Sequence, residues 1–215
     1  VPPIPLEEEM EQNKRKFDNY TVLTSFCIGE YEIALCEDPT VPKGEEFLCG
    51  YVENNGVFER LNDCMVSESF ADIATCYGER IVEKAEEVQK ELEHIGKNVG
   101  DDSEITAKEC MPISYEDCIE GKVVVLRGDI LRPEYKRASN QLLFCTGGFG
   151  AQSNPRGRTC FATHLYDAKQ TQCRREDILG VMPEDKLPEW AKNGLEALRQ
   201  QSTEIHRKRD TRGDR

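Results

Sequence analysis

From Phe17 onward the chain is a succession of short apolar runs broken by turn residues, and near residue 70 its period changes from that of strands to that of a helix. The runs YTVLTSFCI, YEIALCE, EEFLCGYVEN and VFERLNDCMV have the length and the β-branched and aromatic content of strands. Gly29-Glu30 between the first two predicts a tight hairpin, and Asn54-Asn55-Gly56 between the last two predicts another. Consecutive strands joined this way form an antiparallel meander, here of four strands.

Beyond Ser67 the apolar positions Phe70, Ile73, Ala74, Tyr77, Ile81, Ala85, Val88, Leu92 and Ile95 recur every three or four residues. That spacing predicts a long amphipathic helix, with charged residues such as Glu79, Arg80, Glu83, Lys84, Glu86, Glu87, Lys90 and Glu91 on its other faces. Ser67 or Ser69 opens it, and Ser69 with Asp72 is a weak form of the capping box. Gly96 is the expected stop. At about 1.5 Å per residue the helix is roughly 40 Å long and covers the sheet with its apolar stripe.

Residues 97–109 are polar, acidic and without period, and so read as a linker. Strand-like runs then return as VVVLRG, QLLFCT, RTCFATHLY, TQCRREDI and LGVM, with Asp167-Ala168-Lys169 as a turn. Between the first two of these, Pro133 interrupts any helix in residues 129–140. Leu187-Pro188-Glu189-Trp190 starts a last helix, with Pro near its first position and Leu187, Trp190, Ala191, Leu195 and Leu198 on its apolar side. The predicted fold is therefore α+β: an antiparallel four-stranded sheet with one long helix at 17–96, then a small β-rich module closed by a C-terminal helix at 110–200. Residues 1–16 read as a flexible lead-in and 201–215 as a solvated basic tail. Val1 stands where an initiator Met would, so a start within a longer chain or after processing is expected.

Charge sharpens the two-module division. The net charge is −13, but residues 1–109 hold 10 Lys+Arg against 26 Asp+Glu, whereas residues 110–215 hold 18 against 15. An acidic half joined to a mildly basic one gives the modules different electrostatic roles. No run approaches the roughly 18 apolar residues of a membrane span, and the N-terminus lacks a signal-peptide pattern, so no membrane partner is expected. The 10 cysteines contain no CxxC pair, which removes the usual zinc-site spacing. Several sit where a strand needs a small apolar side chain, so they read as free thiols of a reducing cytoplasm, with no disulfide, metal or cofactor.

The least generic stretch is Gln141 to Met182. Gly147-Gly148-Phe149-Gly150 calls for positive φ or close backbone approach, and no GKS or GKT follows, so it is neither a P-loop nor a dinucleotide fingerprint. It reads as a strand-to-loop turn with Phe149 plugging a core and with Gly157 shaping the next loop. Arg156, Arg158, Arg174 and Arg175 are candidates for binding an anion or nucleic acid, because guanidinium forks match phosphates and carboxylates. Glu176 and Asp177 stand ready to neutralise some of them, and Phe149, Phe161 and Tyr166 interleave aromatic rings suited to stacking. A Cys/His hydrolase or transferase would need Cys145 or Cys173 to meet His164 across strands, and no catalytic residue is assigned. His94 and His206 read as bystanders.

The segments YTVLTSFCIGEYEIALCED, GKVVVLRGDILRPEY, QLLFCTGGFGAQSNPRGR and LPEWAKNGLEAL, in this order around a long helix, resemble an uncharacterised accessory protein family of integrative and conjugative elements in Gram-positive gut anaerobes. Members show a GGFG segment, an ARGR-like loop and an LPEWA helix; here Asn154-Pro155-Arg156-Gly157-Arg158 matches the loop without its Ala. The likeness runs from Phe17 to about Leu198. It implies a role beside DNA transfer or against host defence. Two expectations follow: a non-enzymatic protein that binds a nucleic-acid-processing protein as an anti-defence inhibitor, its acidic half competing with DNA, or a nucleic-acid-binding accessory factor using the arginines.

Overall fold

The computed structural model describes residues 15–213, with side chains through residue 201. Two compact units divide between residues 92 and 93.

The first unit is an antiparallel meander of β1 (Lys16–Phe17), β2 (Tyr20–Ile28), β3 (Tyr31–Glu37), β4 (Phe47–Asn54) and β5 (Glu59–Ser67), hydrogen-bonded in that order. Five strands stand where four are expected. The addition is Lys16–Phe17, which turns back on Tyr20–Thr21 through Asp18 at a φ of 52°. A two-residue strand is too short to show a period, so it is invisible to pattern. Of the expected lead-in, residues 1–14 lie outside the described residues.

The sheet curls. Arg15, leading into β1, pairs with Glu59 at the start of β5 at 2.9 Å and with Glu32 of β3. The concave side encloses Phe17, Ala34, Cys36 and Leu48, and the other side carries Ile33, Leu35 and Cys49. Successive residues of β3 thus enter opposite cores, which is why YEIALCE reads as a continuous apolar run and not as an alternation.

The second core is completed by α1 (Phe70–Val99), whose Ile73, Ala74, Tyr77 and Ile81 pack on Ile33, Leu35 and Cys49. Ser69 caps it, its hydroxyl accepting the Asp72 N–H at 3.3 Å. The helix does not stop at Gly96 but at Gly100, where φ is +72°. An interior Gly costs only about 1 kcal/mol relative to Ala, and Ile95 and Val99 are both buried one turn apart, so packing carries the helix past it.

In the second unit β6 (Val123–Leu126), β7 (Leu142–Gly147), β8 (Thr159–His164), β9 (Gln170–Arg174) and β10 (Ile178–Val181) form an antiparallel sheet in the order β10-β6-β7-β8-β9. The one-turn α2 (Ala138–Gln141) leads into β7. The consecutive strands β9 and β10 stand at opposite edges, yet only Arg175–Asp177 join them. Those residues span at most about 14 Å of chain, whereas five flat strands at about 4.8 Å spacing would set the edges roughly 19 Å apart. The sheet must therefore roll up. Its interior holds Val124, Leu143, Cys145, Cys160 and Ala162, capped by Ile119 and Ala151.

The outer side, with Val123, Val125, Leu142 and Leu165, is covered by α3 (Glu189–Gly213) through Ala191 and Leu195. All four residues of β6 are buried because both of its faces are covered. Residues 201–213, expected as part of a featureless tail, continue the backbone of α3. Before β6, Asp102 and Ile105 are buried in this unit: Asp102 accepts from the Ser139 N–H and hydroxyl, and Ile105 bonds to Gln141. No helix among the described residues is long and apolar enough to cross a membrane, and all ten cysteines are free.

Candidate functional site

Where β9 turns into β10, the rolled sheet opens into a cleft of about 550 Å³. One wall is Ile113, Ser114 and Tyr115, the other is Pro155 to Arg158, and Arg175, Glu176 and Ile178 form the floor. The walls are tied together: the Tyr115 hydroxyl donates to the Pro155 carbonyl at 2.9 Å, and the Asn154 N–H donates to the Tyr115 carbonyl at 3.0 Å. Asn154 reaches this position with a φ of 50°, a conformation Asn tolerates better than most residues.

Arg175 builds the floor. Its guanidinium donates to the carbonyls of Gly150 at 2.6 Å, Ser114 at 2.8 Å and Asp117 at 2.8 Å. Asp117 fixes the same segment by accepting the Ser114 N–H at 2.7 Å and hydroxyl at 2.9 Å, and those two bonds hold its carboxyl below the usual range.

Gly147 and Gly148 have φ of +149° and +104°, and a Cβ on Gly150 would lie 2.4 Å from the Arg158 carbonyl. Phe149, however, does not plug a core: it is 79% exposed, and the apolar side chain buried at this turn is that of Ala151. The positive φ at Gly148 turns the chain so that Phe149 faces out, against Gly157, where an added Cβ would approach the Phe149 Cβ to 2.9 Å.

Arg156 and Arg158 stand exposed at the rim. Arg158 pairs with Glu176 at 3.3 Å, and Arg156 meets no carboxylate within ion-pair distance among the described residues. Arg174, the last residue of β9, does not line the cleft. The four arginines are thus not one set: two present their heads, one is structural and one is elsewhere.

Apolar Ile113 and Ile178, the exposed ring of Tyr115 and two guanidinium forks together suit an anion attached to a flat or apolar body. Tyr115 and Ile113 carry no sequence signal, because they join the cleft only through the fold-back of residues 111–119. His164, at the end of β8, faces Leu143, while Cys145 faces Ala162 and Cys173 faces Cys160, so no thiol stands opposite it. Burial pushes the imidazole below its ordinary pKa, and Asp167 and Lys169 are the charges it senses.

The chain matches no protein-family model, no curated protein and no solved structure.

Proposed function

We propose that the chain is a non-enzymatic accessory protein that acts by binding, and that its second unit takes a single-stranded nucleic-acid segment at the cleft. The observation that supports this is the joint presence of the Arg156 and Arg158 forks and the exposed ring of Tyr115 around one pinned opening, with the exposed Phe149 beside its lining residue Gly157. Phosphates would lie on the forks and bases against the rings, a combination that binds single strands with little sequence preference. Two phosphate contacts on a single strand give a log–log salt slope of about −1.4, so binding is modest and salt-sensitive.

A second reading keeps the accessory role implied by the resemblance but makes the partner a nucleic-acid-processing protein. It is favoured by the carboxylates of Glu79, Glu83, Glu86, Glu87 and Glu91, all exposed along α1, which would compete with DNA for a basic face as an anti-defence inhibitor does.

The test is fluorescence anisotropy with a labelled oligonucleotide at low and moderate salt, paired with a pull-down from host lysate before and after nuclease treatment. Salt-sensitive anisotropy lost in the Arg156→Ala/Arg158→Ala double variant supports the first reading. No oligonucleotide binding, with a protein retained through nuclease treatment, replaces it with the second.

A further inference from the structure

Cys145, Cys160 and Cys173 fall on the neighbouring strands β7, β8 and β9. The register makes Cys160 and Cys173 direct partners, and sets Cys145 opposite Ala162, one position away on the same face. Direct partners share a face, and both thiols belong, with Cys145, to the apolar cluster inside the rolled sheet. Partner Cα atoms at a bonded position lie about 5.5 Å apart, inside the roughly 4.4–6.8 Å that a disulfide spans. Cys145 and Cys160 are fully buried, whereas Cys173, on the edge strand β9, is only partly buried.

We propose that Cys160 and Cys173 form a dithiol modification site, closed to an intramolecular disulfide by a low-molecular-weight disulfide. The Cys173 thiolate attacks one sulfur of the reagent, forming a mixed disulfide and expelling the first small thiolate. Cys160 then attacks the Cys173 sulfur, forming the Cys160–Cys173 bond and expelling the second. The two protein thiol protons end on the two released small thiols, so the chain is oxidised by two electrons and the reagent reduced by two.

The thiols differ in the sense this order needs. The hydrogen bond with Cys160 holds the Cys173 thiol below its ordinary pKa against the effect of burial. At Cys160 the contact with Cys145 lowers the pKa, but the bond with Cys173 and burial outweigh it and bring it to about 11. Cys145 is raised, by its bond with Cys160 and by burial, and takes no part. The entering nucleophile is therefore Cys173, and Cys160 is the resolving thiol.

The site lies under the cleft, since Cys160 and Cys173 are each two residues from Arg158 and Arg175, and a Cβ at Gly150 would come 2.9 Å from the Cys160 sulfur. It does not depend on what the cleft binds.

The test treats the folded full chain with oxidised glutathione and maps its peptides without reduction. Expected is a Cys160–Cys173 link, with loss of two hydrogens from the chain and reversal by dithiothreitol. The exposed Cys27, Cys64 and Cys118 gain glutathione adducts without that link. Cys160→Ser, or Cys160→Ala should the serine not fold, stops the reaction at its first step and traps glutathione on Cys173, while Cys145→Ser leaves the link unchanged. A Cys145–Cys160 link, no link at all, or a Cys160 variant that leaves Cys173 unmodified overturns the proposal.

Discussion

Arg175 donates to the Gly150 carbonyl at 2.6 Å, and from the same guanidinium it holds the Ser114 and Asp117 carbonyls, so one side chain from the link between β9 and β10 joins two loops distant in sequence. Charge-assisted bonds to partly buried carbonyls are the kind whose loss leaves acceptors unpaired. Arg175→Ala is expected to cost about 2–4 kcal/mol of unfolding free energy. Arg175→Lys recovers little of it, because a single ammonium cannot reproduce the fork. Urea unfolding of the three proteins reads this directly, and an unchanged midpoint in Arg175→Ala would show that the loops hold themselves.

Arg158 is partly neutralised by Glu176 at 3.3 Å, on the exposed rim of the cleft. The pair adds little stability, but it withholds a fork from any anion. Glu176→Gln is therefore expected to strengthen oligonucleotide binding severalfold at low salt, whereas Arg156→Ala and Arg158→Ala each weaken it. Each arginine removed lowers the magnitude of the log–log salt slope by about 0.7. Titrations at several salt concentrations separate this from a general loss of fold, which would not change the slope in single-charge steps.

The two units differ in how much of them pattern can reveal, and the reason is the range over which each feature is decided. The helix of residues 70–99 is legible because Phe70 to Ile95 carry an unbroken stripe with charges elsewhere, and the strands of the meander because each is a run between turn residues. Its end is misread because the burial of Val99, a tertiary fact, outweighs the local preference at Gly96. The rolling of the second sheet is hidden, since it follows from the pairing of β10 with β6 and from no residue by itself. Of the candidate residues, Arg156 and Arg158 are recognisable by type and motif. Tyr115 and Ile113 reach the cleft only through the backbone bridge between Met111 and Val181 and the fold-back that follows it.

Gln141 is fully buried and uses its whole amide: its oxygen accepts the Ile105 N–H at 2.7 Å, and its nitrogen donates to the carbonyls of Ile105 at 3.1 Å and Leu126 at 2.9 Å. It thereby joins two backbone segments, at Ile105 and at Leu126. Gln141→Ala removes these bonds inside an apolar core beside Val123 and Leu142, and is expected to cost about 2–4 kcal/mol. Hydrogen exchange should show the Ile105 amide losing its protection first, and a variant as stable as the parent would mean that water replaces the amide.

His164 gives the fold a pH dependence whose sign is set by burial. Its folded pKa lies below the ordinary 6.5, with desolvation the main cause, opposed by Asp167 and assisted by Lys169. Between that folded value and 6.5 the unfolded chain binds more protons than the folded one, so unfolding free energy rises with pH there. The contribution is complete above about 6.5 and is lost as pH falls through the folded pKa. Depressed carboxylates, Asp117 and Glu184 among them, act in the same sense beneath their ordinary 3.8 and 4.5. The urea midpoint of the parent is therefore expected to fall from about pH 7.5 to about pH 5.5. His164→Gln keeps a polar side chain without the titration and flattens that fall. A variant with the parent's full slope would assign the dependence to another group and leave His164 a neutral spacer at the end of β8.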